Sequence, residues 1–480
     1  MWGVSSVSPD EKTPLFRKLE TAIEQHRNGR IHQAMALYKE VIALDPRNVI
    51  ALNNYGALLL KENDLNGALT VLRQAVEIDP NAYDAWSNLG DACQLLQDYL
   101  AAINCYQKAL TIKPTHAPAL GNLASALKPI GEFTLAERFH KAALEVDPTH
   151  VETHTNYALF LLATGRYKEG FREYEWHWRE CAKRVGRADI QWDGTPLNGR
   201  TLLVYFVGGF GDAVQFSRFL PQLETLNGKI IVSTRKPLLS LLRYSFPTIT
   251  FVDDAEAPPP HDVQTPIMSL AYFTGVTLET LPFSEGFLKV QPEKMAEWRE
   301  RLRHDQGSTA ASSPLRVGLV WAGAPHKHIK FIEFANRRRS LDLKTLAPLA
   351  EAVPEAIFYS LQIGDKKEQA AHPPAPMTLI DYTDHIHDFS DTAALITQLD
   401  VVVAVDTSTA HVAAGLGKPV MMLSRFDQCW RWLAKRSDSP WYDSLTIYQQ
   451  KRPLDWSEAF EDVKRDLRVM QDAKEHDVQK

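Results

Sequence analysis

The first third of the chain alternates apolar and polar positions with a helical spacing, in blocks that repeat every 34 residues. Proline closes each block, at Pro46, Pro80, Pro114 and Pro148. Small residues recur in the same phase, at Ala34, Ala68, Ala102 and Ala136. A unit of this length holds two helices and cannot bury its own apolar face, so neighbouring units must stack. The pattern predicts an α-solenoid of about four or five repeats over residues 14–182.

The period and the residue types within each block resemble the tetratricopeptide repeat. In one block the positions of that motif are filled by Trp86, Leu89, Gly90, Ala102, Tyr106 and Pro114. Small residues let the two helices of a repeat approach closely, and the proline ends the second helix. The resemblance implies a long concave groove that binds a protein partner.

An asparagine recurs with the same period as the prolines, at Asn54, Asn88, Asn122 and Asn156. A row of primary amides can pair with the backbone of an extended peptide, because each amide both donates and accepts hydrogen bonds. Alternatively, each asparagine caps or cross-links helices inside its own repeat. The repeats resemble those of the O-GlcNAc transferase family, which implies that the four asparagines bind the peptide of an acceptor protein.

Beyond the repeats, short β-branched runs alternate with helical segments, as is typical of parallel sheets covered on both faces. Predicted strands occupy residues 201–207, 229–235, 248–253, 263–270, 316–323, 356–363, 378–382, 401–406 and 419–424. A polar, breaker-rich stretch at 304–314 predicts a linker. The pattern therefore predicts two Rossmann-like lobes, at 197–303 and 314–455, followed by a C-terminal helix at 456–472. Open sheets of this kind bind ligands at the carboxyl ends of their strands.

A glycine-rich turn follows the first predicted strand, in the segment GGFGDAVQFSRFLP. Gly209 and Gly211 allow a tight turn that brings backbone N–H groups to the end of the strand. Asp212 follows at the predicted start of a helix. Its carboxylate either caps that helix or faces the cleft as a chemical group.

The segment DVVVAVDTSTAHVAAGLGKPVMML holds the most specific pattern in this region. Thr407, Ser408 and Thr409 open a helix directly after a strand, and the unpaired N–H groups of such a helix suit a diphosphate. Asp406 either meets a sugar or ribose hydroxyl or caps the helix. His411 lies one turn into the helix, where it either contacts a ligand or packs in the core.

Two further stretches hold candidate donor-binding groups. The segment 317–346 combines a strand, a glycine-rich turn and a basic loop whose arginines at 337–339 either neutralise a diphosphate or form a solvated surface run. The candidates there are Trp321, Gly323, Arg337, Arg339 and Ser340. The stretch 426–442 contains three tryptophans, which either stack on a base or sugar or fill the boundary between the lobes.

Together these motifs resemble a GT-B glycosyltransferase whose catalytic region is heptosyltransferase-like, and the combination with repeats is similar to a bacterial class of tetratricopeptide-repeat glycosyltransferases. The matching stretches are Gly-Asp at 211–212, Asp-Thr-Ser-Thr-Ala-His at 406–411 and the tryptophan-rich segment. The resemblance implies that Asp212 is the general base and that residues 406–411 bind a nucleotide-sugar. Family members have a shorter basic loop with an acidic residue before Arg-x-Arg-Ser, where this chain has Asn336.

Composition restricts the remaining possibilities. The net charge of -6 gives no electrostatic reason to expect nucleic acid as a partner. The four cysteines form no CxxC pair, and neither a DxD motif nor histidines at ligand spacing predict a metal site. No cofactor is expected, because the nucleotide-sugar is a substrate. No apolar run is long enough to span a bilayer and the N-terminus has no signal-peptide pattern, so we expect a cytoplasmic protein.

The sequence thus predicts a metal-independent, inverting glycosyltransferase that moves a sugar to a hydroxyl of a protein held by the repeats. Two alternatives remain. In the first, the transferase lobes are degenerate and the protein is a scaffold. In the second, the acceptor is a lipid-linked glycan or a lipopolysaccharide.

Overall fold

The computed structural model describes residues 14–184, 188–303, 305, 314–324 and 330–478. The chain divides into two compact units, one ending at Tyr157 and the other beginning at Ala158. The predicted linker lies almost entirely outside the described residues, as does segment 325–329 of the predicted basic loop.

Antiparallel helices build the first unit. They are α1 (Pro14–Arg27), α2 (Ile31–Leu44), α3 (Val49–Lys61), α4 (Leu65–Ile78), α5 (Tyr83–Leu95), α6 (Tyr99–Ile112), α7 (Ala117–Leu127) and α8 (Phe133–Val146), followed by α9 (Val151–Ala163), in which the boundary falls. Aspartates cap the second helix of two repeats, since Asp64 accepts from Gly67 N–H at 2.9 Å and Asp98 accepts from Ala101 N–H at 3.0 Å.

The glycine of the repeat is required by close helix packing. A Cβ atom at Gly90 of α5 would lie 2.5 Å from the ring of Tyr106 on α6. A Cβ atom at Gly56 of α3 would lie equally close, 2.5 Å, to the side chain of Leu72 on α4. Only glycine allows the two helices of these repeats to approach so closely.

Helix α10 (Tyr167–Arg184) belongs to the second unit, although the sequence placed it in the repeat array that was predicted to end at residue 182. Tyr167 packs on Trp441 with ring centroids 5.5 Å apart. Phe171 contacts Phe216 at 6.1 Å and Trp430 at 5.9 Å. The helix has the amphipathic pattern of a repeat, but the surface it covers is the core of the α/β region.

Two parallel sheets form the described part of the second unit. The first contains β1 (Thr201–Tyr205), β2 (Lys229–Thr234), β3 (Thr250–Asp253) and β4 (Val263–Pro266), in the order β3-β2-β1-β4. The second contains β5 (Arg316–Val320), β6 (Ile357–Ser360), β7 (Leu379–Ile380), β8 (Val401–Val405), β9 (Val420–Ser424) and β10 (Leu445–Gln449), in the order β10-β9-β8-β5-β6-β7. Every pairing within these sheets is parallel.

Helices cover the sheets, so their central strands are buried on both faces. All five residues of β8, VVVAV, are buried, as expected for an uninterrupted apolar run in a parallel sheet. The helices are α11 (Phe210–Ser217), α12 (Lys236–Ser245), α13 (Leu270–Phe273), α14 (Pro292–Arg303), α15 (Lys330–Arg339), α16 (Ala347–Ala352), α17 (Phe389–Thr397), α18 (Ser408–Gly415) and α19 (Ser457–Val478).

Several elements differ from the sequence prediction, among them the predicted strand 263–270, which ends at Pro266 and continues as the helical segments Ile267–Ser269 and Leu270–Phe273. Strand β10 was not predicted; it is the last strand of its sheet, pairs with β9 and forms one isolated bridge, between Thr446 and Asp438, on its other side. The arginine run lies in the last turn of helix α15 rather than in a loop, since charge alone does not report the backbone conformation. The C-terminal helix α19 extends to Val478, beyond the predicted end at residue 472.

Candidate functional site

The order of strands creates a switch point in each sheet. In the first sheet it lies between β1 and β4, and in the second between β5 and β8. Helix α11 begins after β1, and helix α18 begins after β8. Ligands of open parallel sheets bind at such positions. The glycine-rich turn and the Asp-Thr-Ser-Thr segment are therefore both located where a ligand is expected.

The first turns of α11 and α18 contact each other. A Cβ atom at Gly211 would lie 2.9 Å from Cδ2 of His411 and 3.6 Å from Cα of Ser408. Asp212 follows Gly211 on α11, and its carboxylate is near enough to His411 on α18 to oppose the lowering of the pKa of that imidazole. The structure brings together two predicted site segments that are far apart in the sequence.

Both oxygens of the Asp212 carboxylate have partners. The backbone N–H of Gly209 donates to Oδ2 at 2.8 Å, which caps the start of α11. The guanidinium of Arg431 forms an ion pair with Oδ1. The helix-capping role that the sequence left open for Asp212 is present, and it coexists with a charged contact that the sequence did not predict.

Arg431 lies in a short helical turn, Trp430–Trp432, within the tryptophan-rich stretch. Its Nε donates to Oε1 of Gln215 at 2.6 Å, and Nη1 donates to Sγ of Cys429 at 3.1 Å. Burial alone would lower the pKa of Arg431, but the negative charges of Asp212 and other neighbours raise it above its usual value. The residue is a fixed cation beside Asp212. Its place in the CWRW segment was the only indication of it in the sequence.

At the carboxyl ends of β5 and β8, hydrogen bonds join the turn after β5, the end of α15 and Asp406. The backbone N–H of Gly323 donates to Oγ of Ser340 at 3.1 Å, and Nδ2 of Asn336 donates to the Gly323 carbonyl at 3.2 Å. Arg339 donates from Nε to Oδ1 of Asn336 at 3.1 Å and from Nη1 to the Asp406 carbonyl at 2.7 Å. Four of the predicted donor-binding residues therefore form one cluster.

The cluster contains one positive and one negative side chain, Arg339 and Asp406, and both are largely removed from water. Burial lowers the pKa of Arg339, while Asp406 opposes that change. Burial would raise the pKa of Asp406, but the charge of Arg339 and further interactions outweigh it and the net pKa is lowered. Arg339 is a cation and Asp406 an anion near neutral pH. Their fixed charges are available to orient a polar ligand.

Of the hydroxyl residues at the start of α18, Thr407 precedes the helix in extended conformation and Ser408 is its first residue. The Thr407 hydroxyl has no hydrogen-bond partner among the described residues. Thr409 is buried within the first turn. The Thr407 hydroxyl oxygen is itself buried, so it is an unpaired polar group beside the first turn of α18.

His411 is buried, which favours the packing alternative. Its Nδ1 shares a hydrogen bond of 2.9 Å with the hydroxyl of Tyr442, and its ring stacks on Trp432 with centroids 5.3 Å apart. Burial lowers the pKa of His411 to about 4, so the imidazole is neutral at physiological pH. The edge of the ring that carries Cδ2 and Nε2 faces Gly211, where α11 meets α18.

Two predicted donor-binding side chains do not reach the cluster. Trp321 is fully buried in the core of the second sheet, so only its backbone lies at the strand end. Arg337 is exposed at the last turn of α15. Its neighbour Arg338 pairs with Asp427 at 2.8 Å, and Asp427 also pairs with Arg425 at 2.8 Å. Helix geometry separates the three consecutive arginines, because they point in directions about 100° apart.

In the first unit, the asparagine ladder is engaged in contacts between helices. Nδ2 of Asn88 donates to Oδ1 of Asn53 at 2.7 Å, and Nδ2 of Asn122 donates to Oδ1 of Asp91 at 2.8 Å. Asn54 is buried, whereas Asn156 is partly exposed. Asn88 and Asn122 do cross-link helices, but the bonds join α5 to α3 and α7 to α5 of neighbouring repeats rather than the two helices of one repeat.

Comparison with known protein families identifies the type of repeat in the N-terminal region. Two models described as tetratricopeptide repeat match residues 25–93 and 83–116. The N-terminal region therefore contains tetratricopeptide repeats, which support a role in protein–protein interaction. Protein FlbA of Caulobacter vibrioides is 27% identical over 316 residues, which cover 61% of this chain and 50% of FlbA. The chain thus spans about half the length of this curated relative.

Several solved structures resemble part of the chain. MamA is 22% identical with a TM-score of 0.29, covering 34% of this chain and 96% of its own. A thermophilic tetratricopeptide-repeat protein of Thermus thermophilus is 22% identical with a TM-score of 0.33, covering 36% of this chain and 97% of its own. Pseudomonas aeruginosa pilF is 15% identical with a TM-score of 0.31, covering 36% of this chain and 86% of its own.

The described residues contain neither a membrane-spanning helix nor a metal-binding cluster of side chains. None of the helices in the described ranges is long and apolar enough to cross a membrane. No group of three His, Cys, Asp or Glu side chains in the part of the chain that the structure describes is arranged to hold a metal ion.

Proposed function

We propose that the second unit is a metal-independent, inverting glycosyltransferase of the GT-B type, and that the repeats hold its protein acceptor. A single observation carries the proposal. Helix α11, which carries Asp212, and the first turn of α18 meet where the two parallel sheets have their switch points, because Gly211 lies against His411. The motif resemblance of both segments supports the same assignment.

The nucleotide-sugar donor would bind at the start of α18. The N–H groups that a first helical turn leaves unpaired, together with the positive end of the helix dipole, favour a diphosphate there. Arg339 donates to the carbonyl of Asp406, two residues before the helix, and Arg431 pairs with Asp212 on the adjoining helix α11. Arginine suits the task because its planar fork binds phosphate oxygens in pairs. These groups would supply the positive charge that other transferases obtain from a metal ion.

The reaction proposed for Asp212 is a single displacement. An acceptor hydroxyl attacks the anomeric carbon while its proton passes to the Asp212 carboxylate. The bond between the anomeric carbon and the diphosphate oxygen breaks, and the nucleoside diphosphate leaves with the electron pair. One displacement inverts the anomeric configuration. A positioned carboxylate contributes about 10²–10⁴-fold to such a step.

The decisive experiment replaces Asp212 with Asn. Asparagine keeps an oxygen that can accept from Gly209 N–H, so the cap survives while the base is lost. We expect transfer to fall by about 10² or more and partner binding through the repeats to persist. Melting temperatures of both proteins must be compared, because Asn leaves Arg431 without its anion. Equal turnover in a folded Asp212→Asn variant would reject the role of general base.

The donor can be identified by the stabilisation it confers. Binding to the native state raises the melting temperature according to the ratio of ligand concentration to Kd. A panel of nucleoside diphosphates and their sugars separates recognition of the nucleotide from recognition of the sugar. Arg339→Ala, which removes a cation near Asp406, should reduce the stabilisation by the whole panel. Arg301→Ala, on helix α14, is a matched control.

A scaffold without transferase activity is the second candidate. The ion pair between Asp212 and Arg431 supports it, since that contact occupies an oxygen of the proposed base. So do the repeats, which support protein interaction. A scaffold predicts that no nucleotide sugar stabilises the protein and that Asp212→Asn leaves partner binding and cell phenotype unchanged. A third candidate, transfer to a lipid-linked glycan or lipopolysaccharide, predicts donor turnover that does not depend on the repeats.

A further inference from the structure

We propose that Arg218 is a positioning residue that fixes helix α11, and with it Asp212, against α18 and the tryptophan-rich stretch 426–442. The inference rests on the proposed function, because it concerns the placement of the proposed base. Arg218 follows the last residue of α11 and is fully buried. Among the described residues no carboxylate forms an ion pair with it.

The guanidinium of Arg218 is held by backbone carbonyls and aromatic rings. Nη1 donates to the Trp441 carbonyl at 2.6 Å and to the Pro282 carbonyl at 3.4 Å, and Nε donates to the Gln215 carbonyl at 2.9 Å. Its carbon Cζ lies 4.7 Å from the ring centroid of Phe287 and 4.6 Å from that of Tyr442. These contacts come from three separate segments of the chain, so the planar fork specifies their relative positions.

One face of α11 contacts α18 and the tryptophan-rich stretch 426–442. Gly211, Gln215 and Arg218 are spaced by four and three residues, which places them on the same side of the helix. Gly211 meets His411, the side chain of Gln215 accepts from Arg431, and Arg218 meets Trp441. Asp212 lies on the same helix between the first two of these contacts. Any rotation or shift of α11 therefore moves the carboxylate.

A second path joins Arg218 to the start of α18. The Tyr442 ring lies against Arg218, and the Tyr442 hydroxyl bonds to Nδ1 of His411 at 2.9 Å. The opposite edge of His411 faces Gly211. Arg218 thus closes a ring of contacts that contains both helix starts. Movement of α11 relative to α18 would require one of these contacts to break.

Stability alone does not account for a buried cation at this position. Taking a guanidinium out of water is costly, and an apolar residue of similar volume is often neutral or stabilising in its place. Burial lowers the pKa of Arg218, which reports the same cost. What the arginine adds is direction, because its donors hold the carbonyls of Gln215, Pro282 and Trp441 in one arrangement. A displacement of about 1 Å at a catalytic group can reduce turnover by about 10².

The test compares Arg218→Met and Arg218→Lys with Arg243→Met. Arg243 is a matched control, since it also donates to a backbone carbonyl, that of Phe251 at 2.9 Å, at the end of a helix away from the site. Hydrolysis of a nucleotide sugar that the unmodified protein turns over gives kcat and KM. We expect kcat to fall by about 10–10²-fold in both Arg218 variants with KM changed by less than about threefold. The control should leave both constants unchanged.

Hydrogen exchange supplies a measurement that does not need turnover. Amides of α11 and α18 should exchange faster in the Arg218 variants, and those of β2 and α12 should not. If the unmodified protein turns over no nucleotide sugar, the proposed function fails while the exchange result still decides whether Arg218 fixes α11. Unchanged kcat and unchanged exchange in folded variants would overturn the inference. Failure of both variants to fold would also overturn it, because Arg218 would then be a folding residue.

Discussion

The imidazole of His411 lies directly against Gly211, so that a Cβ atom at position 211 would come within 2.9 Å of His411 Cδ2. Glycine is therefore required where the two helix starts meet. We expect Gly211→Ala to destabilise the second unit by roughly 1–3 kcal/mol through overpacking and to reduce any turnover that depends on Asp212. Urea unfolding followed through the tryptophans of this unit would measure it.

A glycine without such a contact provides the control. No atom lies within 4 Å of the position that a Cβ would take at Gly121 in helix α7. Gly121→Ala should be neutral or stabilising by up to about 1 kcal/mol, because alanine favours the helix. Equal effects of the two substitutions would show that the contact with His411 is unimportant.

His411 should make the second unit less stable in mild acid. Its pKa is about 4 in the folded protein, below the ordinary value of 6.5, so the unfolded chain takes up the proton first. Stability is therefore complete above pH 6.5 and falls as the pH decreases toward 4, by about 3 kcal/mol at most. His411→Phe keeps an aromatic ring and should remove this part of the pH dependence. Hydrogen exchange of α18 amides would measure it locally.

Glu175 should make the second unit less stable as the pH rises, the opposite of the effect of His411. It is buried on α10 and accepts from Oγ of Ser269 at 2.7 Å. Burial raises its pKa to about 7, and the Ser269 hydrogen bond and the charge of Arg179 only partly oppose this. Stability is complete below the ordinary pKa of 4.5 and is lost as the pH rises through 7, again by about 3 kcal/mol at most.

The test of this prediction is Glu175→Gln, since an amide oxygen can still accept from Ser269. The variant should be more stable than the unmodified protein at about pH 8 and differ little at about pH 4. Glu293→Gln, at an exposed position of α14, is the control. A constant difference between variant and unmodified protein across this range would contradict the buried-carboxyl interpretation.

Asn122 distinguishes the two roles of the asparagine ladder. It donates to Asp91, which also accepts from the Tyr106 hydroxyl at 2.7 Å, and burial raises the pKa of Asp91 to about 6. Asn122→Ala should destabilise the first unit by about 1–3 kcal/mol, because Asp91 loses a donor. Calorimetry measures this, with Asn156→Ala as the comparison. Loss of partner binding without loss of stability would instead favour peptide recognition by Asn122.

The boundary between the units predicts where the chain can be cut. A fragment that begins at Val151 keeps α9 and α10 whole, and we expect it to unfold cooperatively. One that begins at Asp193 lacks α10, so the surfaces of Trp441, Phe216 and Trp430 that Tyr167 and Phe171 cover become exposed. It should aggregate or bind a hydrophobic dye. Cooperative unfolding of the shorter fragment would show that α10 is dispensable for the α/β core.

The sequence by itself determined the repeat period, the parallel strands and the two turns that hold the candidate site. These features depend on local rules, such as the spacing of apolar residues and the glycines of a turn. Even so, local pattern assigned α10 to the repeats, because an amphipathic helix does not specify which surface it covers.

Only the tertiary structure decided the partners within the site. The ion pair between Asp212 and Arg431 joins residues 219 positions apart. Likewise, the burial of Trp321 and the bond between Asn122 and Asp91 depend on neighbours brought together by packing. Burial and hydrogen bonding depend on which residues are close in space. The sequence shows only which residues are adjacent along the chain.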